Sequence, residues 1–203
     1  MSGVVIRAAI LWLAVSARMA AADGLPALHD VTGVAGNDVL NIRAAPDATA
    51  PVLGSIAPDA TGVEVVGLSP DGRWAVVNTG EGRGYAALRY LARQAAPEWF
   101  SLQVPLTCSG TEPFWSFAYD PAQPVAVFST PEGQAPFELT TRWPGTPYQR
   151  TAALALGDRR FATLQAAACS DGMSDRAYGI AASFFMIGST GPAILSGCCS
   201  LQP

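Results

Sequence analysis

"TAALALGDRRFATLQAAAC", residues 151–169, decides the fold. The run from Ala162 to Ala168 is rich in alanine, the strongest helix former, so propensity alone favours a helix there. The preceding residues argue the other way. TAALAL and RFATLQAAA flank Gly157-Asp158, whose chemistry is that of a two-residue hairpin turn, and their lengths match. The spacing therefore predicts an antiparallel hairpin, with residues 160–168 as strand.

The same reading extends in both directions. Further candidate strands are FWSFAY, VAVFS, FELTTRW, YGIAASFFMI and ILSGCC on the C-terminal side, and VLNIR, PVLGSI, GVEVVGL, RWAVVNT and GYAAL nearer the N-terminus. Turns fall at Ala45-Pro46-Asp47, Ala57-Pro58-Asp59 and Ser69-Pro70-Asp71-Gly72. The expected fold class is all-β, with a small barrel over residues 25–92 and a second barrel-like unit over 104–203. Between them the stretch from Arg93 to Glu98 has no two-residue period and carries Pro97, so residues 93–103 are expected as a linker.

Residues 1–22 have the pattern of a secretory signal: Arg7, an apolar run from Ala8 to Val15, and Ala20-Ala21-Ala22 as an A-x-A cleavage site. The apolar run is too short to span a bilayer, which takes about 20 residues. The mature chain is expected to begin near Asp23 in the periplasm or outside the cell, with no integral membrane span. The chain carries 12 basic residues against 16 acidic ones. All the basic residues are arginine, which excludes mechanisms needing a lysine base or Schiff base. Loss of Arg7 and Arg18 takes the net charge to about −6, so nucleic acid is not an expected partner. No cofactor and no metal is expected.

The N-terminal residues Leu40-Asn41-Ile42-Arg43-Ala44-Ala45-Pro46, Val52-Leu53-Gly54, Gly72-Arg73-Trp74 and Gly84-Tyr85-Ala86 resemble the bacterial SH3 (SH3b) family over residues 27–92. Two positions depart from the family pattern: Tyr85 replaces the closing tryptophan, and Arg73 stands where glycine precedes Trp74. The resemblance implies a small barrel that binds cell-wall peptide or a protein partner, or that serves as a spacer. The C-terminal part resembles a group of uncharacterised bacterial envelope proteins. Its motifs stand here as Gly110-Thr111-Glu112-Pro113-Phe114-Trp115, and as the run from Cys169 to Tyr178 closed by Gly197-Cys198. That resemblance implies no activity.

Several candidate ligand-binding residues follow from these motifs. Glu112 and Trp115 sit at a strand entry, where they either line a barrel mouth or serve as a turn carboxylate and a core indole. Asp171, Asp175, Arg176 and Tyr178 crowd around Gly172. In one reading Asp171 caps the turn and Arg176 pairs with Asp171, Asp175 or Glu112; in another the cluster takes a ligand. Trp74, Tyr85 and Tyr90 either form an aromatic groove or pack in the core, with a core role favoured for Trp74. No catalytic residue is assigned, since the single histidine, His29, lies far in sequence from these carboxylates.

Cys108, Cys169, Cys198 and Cys199 all fall in the C-terminal unit, and an even number in an oxidising compartment reads as two disulfides. Zinc is disfavoured because no C-x₂₋₄-C chelate is present. A bridge between Cys198 and Cys199 meets a geometric objection, since neighbouring Cα atoms lie about 3.8 Å apart and disulfides want roughly 4.4 Å or more. On a strand the two side chains point oppositely, which favours distant partners for each. Envelope-protein relatives commonly carry the counterparts of Cys169 and Cys198 alone, so the resemblance implies that bridge, with Cys108 and Cys199 as the added one. The expected function is non-enzymatic binding or envelope structure. The alternatives are an envelope-directed hydrolase using Glu112 and the Asp171–Tyr178 cluster, and a redox-responsive protein acting through Cys198 and Cys199.

Overall fold

The computed structural model describes residues 24–188 and 191–202 of the chain. The signal-sequence reading of residues 1–22 lies outside them. The first eight strands are β1 (Ala27–Val31), β2 (Leu40–Arg43), β3 (Val52–Ile56), β4 (Val63–Val65), β5 (Gly67–Leu68), β6 (Trp74–Thr79), β7 (Gly82–Ala87) and β8 (Leu91–Arg93). They pair as a three-stranded sheet, β4-β1-β8, and a five-stranded sheet, β3-β2-β7-β6-β5. Alternation sets the faces: Ala75, Val77 and Ala86 point inward to meet Ile42, Val65 and Leu91, while Trp74, Val76 and Tyr85 point outward. The core role favoured for Trp74 is thus reversed, because its inward neighbours are the small residues that let the sheets approach.

The remaining strands are β9 (Leu106–Thr111), β10 (Phe114–Tyr119), β11 (Val125–Thr130), β12 (Gly133–Trp143), β13 (Thr151–Leu156), β14 (Arg160–Cys169), β15 (Tyr178–Gly188) and β16 (Gly191–Leu201). All neighbours are antiparallel, and β16 returns to β9 to close an eight-stranded barrel. Closure removes the unpaired edges that an open sheet of this length would expose. Inward side chains fill the interior: Phe117, Phe128, Phe137, Leu154, Leu164 and Phe184 belong to one core, with ring centroids 4.7 Å apart between Phe117 and Phe184. The barrel is therefore packed and not a pore.

The alanine-rich run is strand. Ladders pair its backbone with β13 as far as Gln165 and with β15 as far as Ala166, while Ala162 and Leu164 face the core and Phe161 faces out. The β13–β14 turn takes three residues, 157–159, with Gly157 at φ 71°, in place of the two expected. A bulge between Ala166 and Cys169 ends the regular pairing with β15.

Within residues 93–103, expected as a linker, a single 3-10 turn over Trp99–Ser101 buries Trp99 and Phe100, and Leu102 joins them in the barrel core. The Tyr119 hydroxyl donates to Leu102 O at 2.6 Å, and Gly145 N donates to Phe100 O at 2.7 Å, so the segment plugs one barrel end.

Two disulfides bind the barrel. Cys108 bonds Cys199, its register partner across the β9–β16 seam, with Cα atoms 3.9 Å apart. Cys169 bonds Cys198, Cα atoms 5.7 Å apart. The first pair lies in the barrel core; Cys198 is on the other side of the wall, where it holds the bulged end of β14. In the chain-entropy account, the 91-residue separation of the first bond is worth about 4.6 kcal/mol and the 29-residue separation of the second about 3.6 kcal/mol. Replacing both members of a bridge by serine is expected to cost about 2–5 kcal/mol in denaturant unfolding, more for Cys108 with Cys199 than for Cys169 with Cys198.

Candidate functional site

The loop from Ser170 to Ala177 joins β14 to β15 and carries most of the candidate residues. Asp171 is buried at 6% exposure, and all its acceptor capacity is used locally. Oδ1 accepts from Met173 N at 3.0 Å and Ser174 N at 2.9 Å; Oδ2 accepts from Ser174 Oγ at 2.8 Å and the Tyr178 hydroxyl at 2.9 Å. Burial alone would raise this carboxyl, but the four donors outweigh it and hold it at about 2. Burial, followed by the bond to Asp171, pushes the Tyr178 phenol up. An anion this stable is a weak base, and a phenol so held is a weak nucleophile.

Arg176 does not pair with Asp171, Asp175 or Glu112. Among the described residues the ion pairs are Arg73 with Asp71 and Arg93 with Glu98. The loop turns its other polar groups to the β6–β7 hairpin. The Asn78 amide donates to Ala177 O at 2.9 Å and accepts from Ala177 N at 2.8 Å, while Asp175 N donates to Glu81 O at 2.8 Å. Arg176 Nη1 reaches Gly80 O at 3.5 Å. A side chain at position 179 would collide with Pro26, so Gly179 is what lets β15 approach β1. At the other side of this junction Glu64 Oε1 accepts from Leu201 N at 2.9 Å. Burial raises Glu64 to about 7, against the Leu201 N–H, the Arg176 charge and the Ser200 hydroxyl, all of which favour the anion.

Trp74 stands on the outer face between two grooves of the N-terminal unit. One, about 400 Å³, runs past Asn41, Arg43, Arg89 and Tyr90; the other, about 580 Å³, runs past Pro46, Asp47 and Arg73. The Arg89 guanidinium lies over the Tyr90 ring at 4.7 Å and donates to its hydroxyl at 3.2 Å. Tyr85 lines neither groove. Residues 38–92 match the bacterial SH3 domain family. No curated protein and no solved structure matches the chain. A bacterial SH3 domain suggests envelope or cell-wall binding in general, and together with the two disulfides it is consistent with an extracytoplasmic protein. Among the described residues no helix is long and apolar enough to cross a membrane.

Glu112 and Trp115 are not brought together. Glu112 is exposed in the two-residue β9–β10 turn, joined to Pro113 by a cis peptide bond. Trp115 is buried inside the barrel against Phe128 and Phe184, over Gly110 and Gly197, whose missing side chains make room for the indole. His29 is buried in β1 with Nδ1 3.0 Å from Ala27 O; burial lowers its pKa. No group of three or more His, Cys, Asp or Glu side chains stands ready for a metal among the described residues. Sequence reasoning missed Asn78, Glu81 and Glu64, each of which meets a residue about a hundred or more positions away.

Two outcomes follow from the carboxylates. Because the folded pKa of Asp171 is depressed, its stabilisation is present above about pH 4 and is lost as the pH falls toward 2. Asp171→Asn is expected to lower stability by about 2 kcal/mol at pH 7, with the gap to wild type narrowing between pH 4 and pH 2 in thermal unfolding. Glu64 has the opposite sign: its folded pKa is raised, so its favourable contribution holds below about pH 4.5 and is lost as the pH rises through 7. Glu64→Gln is expected to gain about 1–2 kcal/mol on wild type between pH 5 and pH 8, a figure reduced for its partial exposure.

Proposed function

We propose that the chain is a non-enzymatic binding protein of the periplasm or the secreted space, made as a precursor whose residues 1–22 are a signal peptide. Its SH3 domain takes cell-wall peptide or an envelope protein partner, and the C-terminal unit, residues 104–203, serves as a disulfide-bonded platform. The observation that carries this reading is the placement of Trp74: an indole on the outer face, between two grooves, with Arg89 and Tyr90 beside it. Aromatic and arginine side chains so placed are the commonest anchors of peptide interfaces. Outward grooves also leave the core to small residues, so the site does not compete with folding.

The carboxylate cluster adds to this reading from the other side. Asp171 is occupied by the loop it organises, and Glu112 stands apart from it, so the residues considered for hydrolysis support a structural role. Cys198 and Cys199 belong to separate bridges.

The test is retention on isolated cell walls. Trp74→Ala is expected to weaken retention about tenfold or more, the loss of one anchor residue, with an unchanged unfolding midpoint because the indole lies outside the core. Equal retention of wild type and variant removes the assignment of the groove.

A further inference from the structure

A broad hollow lies between the SH3 domain and the barrel. It is a cleft of about 930 Å³, within the range of ordinary ligand sites. One wall is the SH3 sheet, with Leu53, Leu68 and Val76; the other is the bulged end of β14, with Ala166, Ala167 and Ala168. Around these apolar walls stand Arg83, Arg150 and Arg176, and Asp175 is the single carboxylate among the lining residues. In a chain of net charge −4 this is a local reversal of sign.

Two of the three arginines are not consumed by the fold. Among the described residues the side chains of Arg83 and Arg150 make no ion pair or hydrogen bond. Arg176 Nε is buried without a partner. Arg150 has φ 42°, the left-handed region that non-glycine residues seldom adopt. Its backbone is held there at both ends, since its N–H donates to Thr146 O at 2.8 Å and its carbonyl accepts from Ala166 N at 3.0 Å. A residue held in a costly conformation at the rim of a cleft is a mark of a site. Guanidinium groups pair with carboxylates through two parallel hydrogen bonds, and low-polarity walls strengthen such pairs.

We propose that this cleft is a second binding site, distinct from the Trp74 grooves, for an acidic peptide with small apolar side chains. The ligand's carboxylates meet Arg83, Arg150 and Arg176, and its methyl groups lie on Leu53, Val76 and Ala167. A peptide fits better than a bare polyanion because the walls between the arginines are apolar. Both the SH3 domain and the barrel contribute residues, so the site exists only while the Asn78–Ala177 contact holds the two together.

The experiment uses the chain from residue 23 with its disulfides intact, and two fluorescein-labelled peptides, Ala-Glu-Ala-Glu-Ala and Ala-Gln-Ala-Gln-Ala, followed by anisotropy. The glutamate peptide is expected to bind, the glutamine peptide at least tenfold more weakly. The double variant Arg83→Gln with Arg150→Gln, on the cleft rim, is expected to weaken binding tenfold or more without moving the unfolding midpoint. Trp74→Ala is expected to leave this affinity within twofold, which separates failure of this site from failure of the SH3 groove. The proposal is overturned by absence of binding, by equal binding of the two peptides, by unchanged affinity of the double variant, by loss of binding in Trp74→Ala, or by displacement of the peptide with inorganic phosphate at concentrations where sodium chloride of equal ionic strength does nothing.

Discussion

Cys198 and Cys199 follow one another on β16, and a strand sends successive side chains to opposite faces, so the two sulfurs emerge on opposite sides of the barrel wall. The inner one bonds Cys108 directly across the seam where β16 meets β9, and so locks the pairing that closes the barrel. The outer one bonds Cys169, where the β14 bulge gives way to the Ser170–Ala177 loop. One peptide unit thus carries both the closure of the barrel and the anchorage of the loop. Everything beyond it, from the Asp171 turn to the contact with the SH3 domain, is built on a loop that leaves from the fixed Cys169.

The charges of that loop are divided by geometry. Asp171 lies within reach of two backbone N–H groups and two hydroxyls only a few residues away, and these saturate it before any guanidinium approaches. Arg176, two residues before β15, points away from that turn and toward the SH3 domain, near Glu64 and at the cleft. A motif that reads as a compact charge cluster in sequence is therefore two devices in space. One is a self-satisfied turn, and the other is a cation presented between domains.

Much of the fold was legible in the residues. The alanine-rich run after Gly157-Asp158 resolved as strand because the hairpin and matched lengths outweighed propensity, and in the barrel its backbone is paired on both sides as far as Gln165. The candidate site was legible only in part. Trp74 alternates with Ala75 and Val77, and a two-residue period alone does not say which face is covered; the small residues went inward and the indole outward. Glu112 and Trp115 share a motif, yet one stands at an exposed turn and the other lies inside the barrel, because the turn and the strand's first inward position are neighbours in sequence and divergent in direction.

Local patterns were sufficient for what depends on local chemistry: the strand periods, the turns at Gly and Pro, the even number of cysteines and the SH3 motif. These properties act over a few residues, so their spacing in the chain carries them. The β9–β16 register that closes the barrel, the plug at Trp99 and Phe100, the Asn78–Ala177 contact and the cleft shared by Arg83, Arg150 and Arg176 were decided by tertiary structure alone. They arise from register and closure, which join residues up to about a hundred positions apart, and no short-range pattern encodes which distant strand a given face will meet.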